Sequence, residues 1–239
     1  MAETGIDPRT DTEKRVVQPT SWLPLVVVCT GFFVVILDTT VVTIALDRIA
    51  DGLHTSVTGL QWVVDGYTVV LASVLLLSGT ISDRIGARRA FQAGLLLFGV
   101  ASLGCAMAPS LGVLVTVRMV QGLGGALLIP SSLALIRAAY SDDAARAKAI
   151  GVWGAVGATA ASFGPVVGGL LSGTLGWPAV FAINVPICAA ALVLVVRTVP
   201  PVPGAPRRLH VGTQVAIFAV QIRVPGTFST VLAFCGFER

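Results

Sequence analysis

Gly79-Thr80-Ile81-Ser82-Asp83-Arg84-Ile85-Gly86-Ala87-Arg88-Arg89 is the stretch on which the interpretation of this chain depends. It lies between two long apolar runs, one ending near Ile81 and the next starting near Ala90. A soluble protein has no need for so short a charged segment between two helices of membrane length. The pattern therefore predicts a short loop at a membrane surface, with its arginines held on one side.

The composition supports a membrane protein. The chain has 239 residues, of which 55% are hydrophobic and only 12% are charged, too few to cover a soluble domain of this size. The net charge is +4, but the basic residues stand in small groups between apolar runs, which is typical of cytoplasmic loops and not of a nucleic-acid-binding surface. The four cysteines are far apart and show no metal-ligand spacing, so we expect neither a metal site nor a disulfide framework.

Six apolar runs predict six transmembrane helices, each long enough to cross about 30 Å of hydrocarbon at about 1.5 Å per residue. They are Trp22–Leu46, Leu60–Ile81, Ala90–Ala108, Leu111–Ile136, Ala149–Leu175 and Pro178–Val196. The predicted fold class is an all-α membrane protein, because a backbone in lipid must satisfy its own hydrogen bonds. Three spans followed by three of opposite starting direction also fit a bundle of two inverted three-helix repeats.

Three domains are predicted. Residues 1–21 are polar and indicate a disordered cytoplasmic tail, with a signal peptide as the alternative. Residues 22–196 form the bundle. Residues 197–239 begin with a proline-rich linker and continue with apolar pieces that are interrupted or too short to cross, which suggests a truncated or frame-shifted segment.

The distribution of Lys and Arg predicts the orientation. Three of them lie in the N-terminal tail, and three follow each of the second, fourth and sixth spans, whereas the opposite face has only Arg48. Loops rich in Lys and Arg stay in the cytoplasm. We therefore expect a multi-pass protein of the cell membrane with a cytoplasmic N-terminus.

Two opposite charges lie at matched depth inside predicted spans. Asp38 is in the first span, and Arg118 lies seven residues into the fourth, so both fall roughly 10 Å below the outer surface. Charges at this depth are costly and mark functional sites, and pairing lowers the cost for each. We favour an Asp38–Arg118 pair. The alternatives are that Asp38 reaches water near a helix end, or that each charge faces a separate watery crevice.

Three further groups of residues are candidates. Asp65 is a second possible proton or cation site, and an interfacial position near Trp62 and Tyr67 is an equally good interpretation. The loop residues Gly79, Asp83, Arg84, Gly86, Arg88 and Arg89 suggest a gate, with Asp83 placed to cap the third helix, although a plain anchoring loop is the alternative. Gly164, Pro165, Gly168 and Gly169 in the fifth span allow close helix approach, and generic membrane packing competes with a functional role.

These motifs together resemble the N-terminal half of the drug:proton antiporter group of the major facilitator superfamily, most closely its fourteen-helix branch. The Leu37–Val41 segment is similar to the first-helix motif L-D-x-T-x-V-N-x-A-L-P, with Thr43 in place of Asn and Asp47 in place of Pro. Arg118-Met119-Val120-Gln121-Gly122 matches R-x-x-Q-G of the fourth helix. Gly164-Pro165 with Gly168-Gly169 matches the fifth-helix antiporter motif, and the loop after the second span matches the family's charged loop.

The resemblance implies proton-driven efflux of small amphipathic drugs or antibiotics by alternating access, without a cofactor. Asp38 would carry the proton or cation, Arg118 would be its electrostatic partner, and the charged loop and the Gly164-Pro165 segment would be gates. The family also needs a second half, from another chain or a second copy, and the fifth helix packs on it. A non-transporting remnant or partner-binding membrane module is the alternative. No nucleophile–base set or phosphate loop suggests an enzyme.

Overall fold

A computed structural model of the chain describes residues 22–200 together with Val202 and Gly204. The predicted tail at residues 1–21 and nearly all of the predicted C-terminal segment lie outside the described residues.

The described part of the chain is helical and contains no strand. Six helical segments are long and apolar enough to cross a membrane. The sixth consists of a short helix and a longer one, with a turn at Ile183 between them. The elements are α1 (Leu23–Leu53), α2 (Val57–Ile85), α3 (Ala87–Ala106), α4 (Leu111–Ala139), α5 (Asp143–Thr174), α6 (Ala179–Ala182) and α7 (Asn184–Thr198).

Several helices are longer than their apolar runs predicted, because polar cap residues outside those runs set their ends. α2 begins after Ser56, whose hydroxyl accepts a hydrogen bond from the Gly59 amide. α5 begins after Asp142, whose carboxylate accepts one from the Ala145 amide at 2.7 Å, six residues before the predicted start at Ala149. Such caps satisfy amide groups that have no partner within the helix.

The charged stretch from Gly79 to Arg89 is not a loop, and that prediction is wrong. α2 continues to Ile85 and α3 starts at Ala87, so Gly86 alone connects them. Gly86 has φ 92° and ψ 136°, a backbone conformation that residues with a side chain rarely adopt. The predicted cap is also wrong, because Gly86 occupies the N-cap position of α3 and Asp83 lies in the last turns of α2.

The helices pack in a pattern that is the same in both halves of the bundle. α1 packs along α5, as α4 packs along α2, while α3 and α7 lie against each other. If α1 is exchanged with α4, α2 with α5 and α3 with α7, these contacts stay the same, as expected for two inverted three-helix repeats. Glycines allow the closest approach: a Cβ added at Gly122 would lie 2.6 Å from the Tyr67 carbonyl oxygen, and one at Gly124 would lie 2.7 Å from the Phe98 amide nitrogen.

The core consists of two apolar clusters, one toward each end of the bundle. The first contains Val28, Phe91 and Leu128, and the second contains Ile49, Leu114 and Val180. Buried polar side chains from α1, α3, α4 and α7 lie between the two clusters. This polar layer is the candidate functional site.

Candidate functional site

Asp38 is the centre of the polar layer. It lies near the middle of α1 and is fully buried. Its Oδ2 accepts a hydrogen bond from Arg118 Nη1 at 2.5 Å, and its Oδ1 accepts two more, from Gln121 Nε2 at 2.9 Å and Asn184 Nδ2 at 2.7 Å. Both carboxylate oxygens are therefore paired, with a cation on one side and two amides on the other.

Arg118 is buried almost as completely, at 1% exposure. Besides Asp38, its guanidinium donates to the Val63 carbonyl oxygen at 3.3 Å and to Gln121 Oε1 at 2.9 Å. The Tyr67 ring lies against it, with the ring centroid 4.2 Å from the guanidinium carbon. A carboxylate, two neutral acceptors and an aromatic face together offset the cost of removing this cation from water.

Gln121 connects the ion pair to the rest of the layer. It lies one turn after Arg118 on the same face of α4, a spacing that brings side chains together. Its Nε2 also donates to Ser102 Oγ at 2.9 Å, and Ser102 in turn donates to the Phe98 carbonyl oxygen at 2.7 Å. One hydrogen-bonded network thus joins α1, α2, α3, α4 and α7.

The structure contains the predicted Asp38–Arg118 pair, but the predicted depth of Asp38 is wrong. Arg118 lies seven residues after the start of α4, as the sequence indicated. Asp38 lies deeper than the predicted 10 Å from the helix end, because α1 continues past Leu46 to Leu53. The two charges meet because α1 and α4 cross between the two apolar clusters.

Three members of the network were not predicted as site residues: Gln121, Asn184 and Ser102. Gln121 was noted only as part of the R-x-x-Q-G motif of the fourth helix. A sequence signal for Gln121 and Asn184 was present, since a polar side chain inside an apolar span usually faces the interior of a bundle.

The structure does not bring Asp65 into this network. Asp65 is exposed on α2, two residues from both Val63 and Tyr67, which contact Arg118. Residues two apart on a helix do not share a face. A role for Asp65 as a second proton or cation site remains a prediction.

The predicted gate lies at one end of the bundle. Arg88 Nη2 donates to the Val196 carbonyl oxygen at 2.6 Å, in the last turn of α7. A Cβ at Gly86 would collide with the Val202 carbonyl oxygen, whereas one at Gly79 would meet nothing within 4 Å. The segment thus fixes the α2–α3 junction against the end of α7 and the residues after it. Its gating role, in which Asp83, Arg84 and Arg89 were also named, remains a prediction.

The fifth-helix motif has two faces. Gly164 and Gly168 are buried against α1, where a Cβ at Gly164 would overlap Thr40 and one at Gly168 would lie 3.0 Å from the Val41 carbonyl oxygen. Pro165 and Gly169 are on the exposed face. The motif was expected to face a second half, but within the described residues its buried glycines bring α5 onto α1 within one turn of Asp38.

The site is an ionic and hydrogen-bonded cluster, and in the part of the chain that the structure describes no group of three His, Cys, Asp or Glu side chains could hold a metal ion. The carboxylate and its hydrogen-bond donors can hold or lose a proton and can bind polar groups.

A sequence model described as Major Facilitator Superfamily matches residues 28–237. The chain is 42% identical over 187 residues to a methylenomycin A resistance protein of Bacillus subtilis (strain 168), covering 78% of this chain and 40% of that protein. It is also 42% identical over 193 residues to a tetracenomycin C resistance and export protein of Streptomyces glaucescens, covering 80% of this chain and 36% of that protein. The chain therefore spans about 40% of the length of these relatives.

Solved structures show the same fold. A crystal structure of the peptide transporter POT with sulfate superposes with a TM-score of 0.67 at 18% identity, covering 91% of this chain and 47% of that one. The human organic anion transporter MFSD10 gives a TM-score of 0.60 at 18% identity, covering 77% of this chain and 49% of that one. In both, the chain corresponds to about half of the transporter.

Proposed function

The chain belongs to the major facilitator superfamily, and on this premise we propose that it serves proton-coupled efflux of drugs or antibiotics by alternating access. Relatives named for resistance to methylenomycin A and for tetracenomycin C resistance and export support the cargo class. The cargo would be a small amphipathic compound, and the protein would be a transporter and not an enzyme.

The fully buried Asp38–Arg118 pair is the observation that carries this proposal. A proton on Asp38 neutralises the only carboxylate that Arg118 contacts among the described residues. Leaving a buried charge without its partner costs about 3–5 kcal/mol. Protonation would therefore favour a second arrangement of the helices, in which the arginine reaches water or another acceptor.

The neighbours of the pair define how such a switch would work. Gln121 and Asn184 each donate a hydrogen bond to Asp38 Oδ1, beside the Arg118 contact to Oδ2. Proton loss would restore all three hydrogen bonds and the original packing. A proton gradient can bias transport only if the protonated and the deprotonated protein favour different arrangements of the helices.

Alternating access also requires a wall opposite this bundle. In the solved transporters the matched region is about half of the chain. We propose that the other wall comes from a second half-transporter, supplied by another chain or by a second copy of this one. The protein would lie in the cell membrane with its N-terminus in the cytoplasm, as its Lys and Arg distribution favours.

A resistance assay tests the proposal. Drug-sensitive bacteria expressing this chain should survive a higher concentration of an amphipathic antibiotic than cells with an empty vector, and a protonophore should abolish the difference. Asp38→Asn and Arg118→Ala should each lose the effect. The matched control is Asp51→Asn, which removes an exposed carboxylate at the end of α1 and should keep it.

The alternative function predicts a different result. If the wild-type chain, the three variants and the empty vector give equal survival while the protein is present in the membrane, the chain acts as a non-transporting membrane module. If the wild-type chain and Asp38→Asn protect the cells equally and better than the empty vector, efflux would be supported but Asp38 would be rejected as the coupling site.

A further inference from the structure

An apolar groove lies between α1, α5 and α7, away from the polar network. Its volume is about 290 Å³. One wall is a stripe of α1 that includes Val26, Cys29 and Phe33, residues spaced so that they share one face of the helix. Val152 and Val156, one turn apart on α5, form a second wall.

The chemistry of the groove suits a hydrocarbon chain. Ile187 of α7 also lines the groove, and Thr30 is the one polar side chain among the described lining residues. The Thr30 hydroxyl donates to the Val26 carbonyl oxygen of its own helix at 3.0 Å. The volume is at the lower bound of about 300–1,000 Å³ for small-molecule pockets. It suits one alkyl chain better than a whole drug.

A cation and an indole ring lie at one end of the groove. Trp22 precedes Val26 by one turn of α1, and Lys148 precedes Val152 by one turn of α5. Lys148 Nζ is 5.7 Å from the centroid of the Trp22 ring, and both side chains are exposed. Tryptophan is enriched at membrane interfaces, and lysine at the membrane surface attracts lipid phosphate.

We propose that this groove binds one acyl chain of a membrane phospholipid, whose phosphate lies at Lys148 and whose glycerol region lies against Trp22. An apolar groove with a cation at its mouth is complementary to this ligand, and the cation disfavours a positively charged cargo molecule. The site shares no residue with the Asp38 network, so it goes beyond the proposed efflux function and does not rest on it.

Photo-crosslinking of the full chain tests the site. The protein is reconstituted in phosphatidylcholine vesicles that contain a small fraction of phosphatidylglycerol with a diazirine on one acyl chain. After irradiation, mass spectrometry locates the crosslinks. We expect them to concentrate on residues 26–33, 152–156 and 187, with few on the exposed outer face of α3.

Two variants probe the two ends of the lipid. Val156→Trp fills the groove and should lower crosslinking there about tenfold. This factor corresponds to two methylene groups of the acyl chain that can no longer be buried in the groove. Val166→Trp adds the same side chain at an exposed position of the same helix and should leave the crosslinks unchanged. Lys148→Gln should lower crosslinking about fivefold, the factor for one cation at a membrane surface. Arg137→Gln, an exposed position at the end of α4, is its control.

Two results would overturn the proposal. Crosslinks spread evenly around the bundle and insensitive to Val156→Trp would mean that only ordinary boundary lipid was captured. Displacement of the groove crosslinks by tetraphenylphosphonium, an amphipathic cation, would assign the groove to cargo. Lys148 and Val166 are exposed, so their variants should fold, and size-exclusion profiles normalise every comparison to folded protein.

Discussion

At the scale of single residues, Asp38 stands out because the carboxylate and its partners come from three different helices. Arg118 and Gln121 come from α4, Asn184 from α7, and the carboxylate itself from α1. A buried charge that is fully paired can be tolerated, whereas one that has lost its partner is strongly destabilising. The two charges should therefore depend on each other far more than on their surroundings.

Asp38→Asn should lower the free energy of unfolding by about 3–5 kcal/mol, because Arg118 keeps its charge and loses its counter-ion. The double variant Asp38→Asn/Arg118→Gln should recover most of this loss. Unfolding in mixed micelles, analysed as a double-mutant cycle, measures the coupling. Asp65→Asn, at an exposed carboxylate, should change stability by no more than about 0.5 kcal/mol. Effects that simply add in the double variant would contradict the pairing.

The two charges of the site could be predicted from the sequence, whereas the contact of the amides with Asp38 could not. Asp38 and Arg118 stand out because an ionised side chain within an apolar span needs a reason. Gln121 and Asn184 are neutral, and burying an amide costs less than burying an ion. Only the crossing of α1, α4 and α7 shows that both amides reach the same carboxylate.

At the scale of helices, the number and order of the spans followed from the apolar runs, but the ends did not. Apolar length reports the hydrocarbon thickness, whereas a helix stops where its end groups find other partners. Asp142 starts α5 well outside its apolar run for this reason. The stretch from Gly79 to Arg89 misled because charges and serines are compatible with a helix beyond the hydrocarbon. Gly86 alone breaks the helix there.

Gly86→Ala should destabilise the protein by about 1–3 kcal/mol, because its φ of 92° is unfavourable for any residue with a Cβ and because the Val202 carbonyl oxygen lies close. Gly79→Ala, two turns earlier in α2 with open space around it, should stabilise by up to about 1 kcal/mol through helix propensity. Thermal unfolding of the two variants measures the contrast. Equal shifts of both would contradict the role of the α2–α3 connection.

A second pair of glycines tests the packing of α5 on α1. Gly164→Ala should cost about 1–3 kcal/mol, since the new methyl group meets Thr40, a stiff β-branched residue. Gly169→Ala, on the exposed face of the same helix, should be neutral or stabilising. Melting temperatures in detergent distinguish the two. A Gly164→Ala protein as stable as wild type would show that the two helices can separate at no cost.

At the scale of the whole molecule, the bundle consists of two apolar clusters with a polar layer between them. Neither cluster contains an ionised side chain, and the buried Asp38–Arg118 pair lies in the layer between them. This division was not predictable from the runs of the sequence, because each apolar run contributes to both clusters. α1 alone contributes Val28 to one and Ile49 to the other.

The orientation in the membrane is a property of the whole bundle and can be measured with cysteine labelling. The three described native cysteines are buried, so a Cys235→Ser background should give little signal. A cysteine introduced by Thr58→Cys should react with a membrane-impermeant maleimide on intact cells. One introduced by Ala144→Cys should react only after the membrane is disrupted. The reverse result would contradict a cytoplasmic N-terminus.

The ion pair also has a consequence for synthesis. Asp38 and Arg118 are 80 residues apart in the chain, so the first helix leaves the ribosome long before its counter-ion is made. A lone aspartate at the centre of a nascent helix weakens its insertion by the translocon by about 2.5–3.5 kcal/mol. The apolar residues on either side of Asp38 in α1 have to offset this insertion cost until α4 enters the membrane. The bundle therefore completes its assembly only after its fourth helix has been translated.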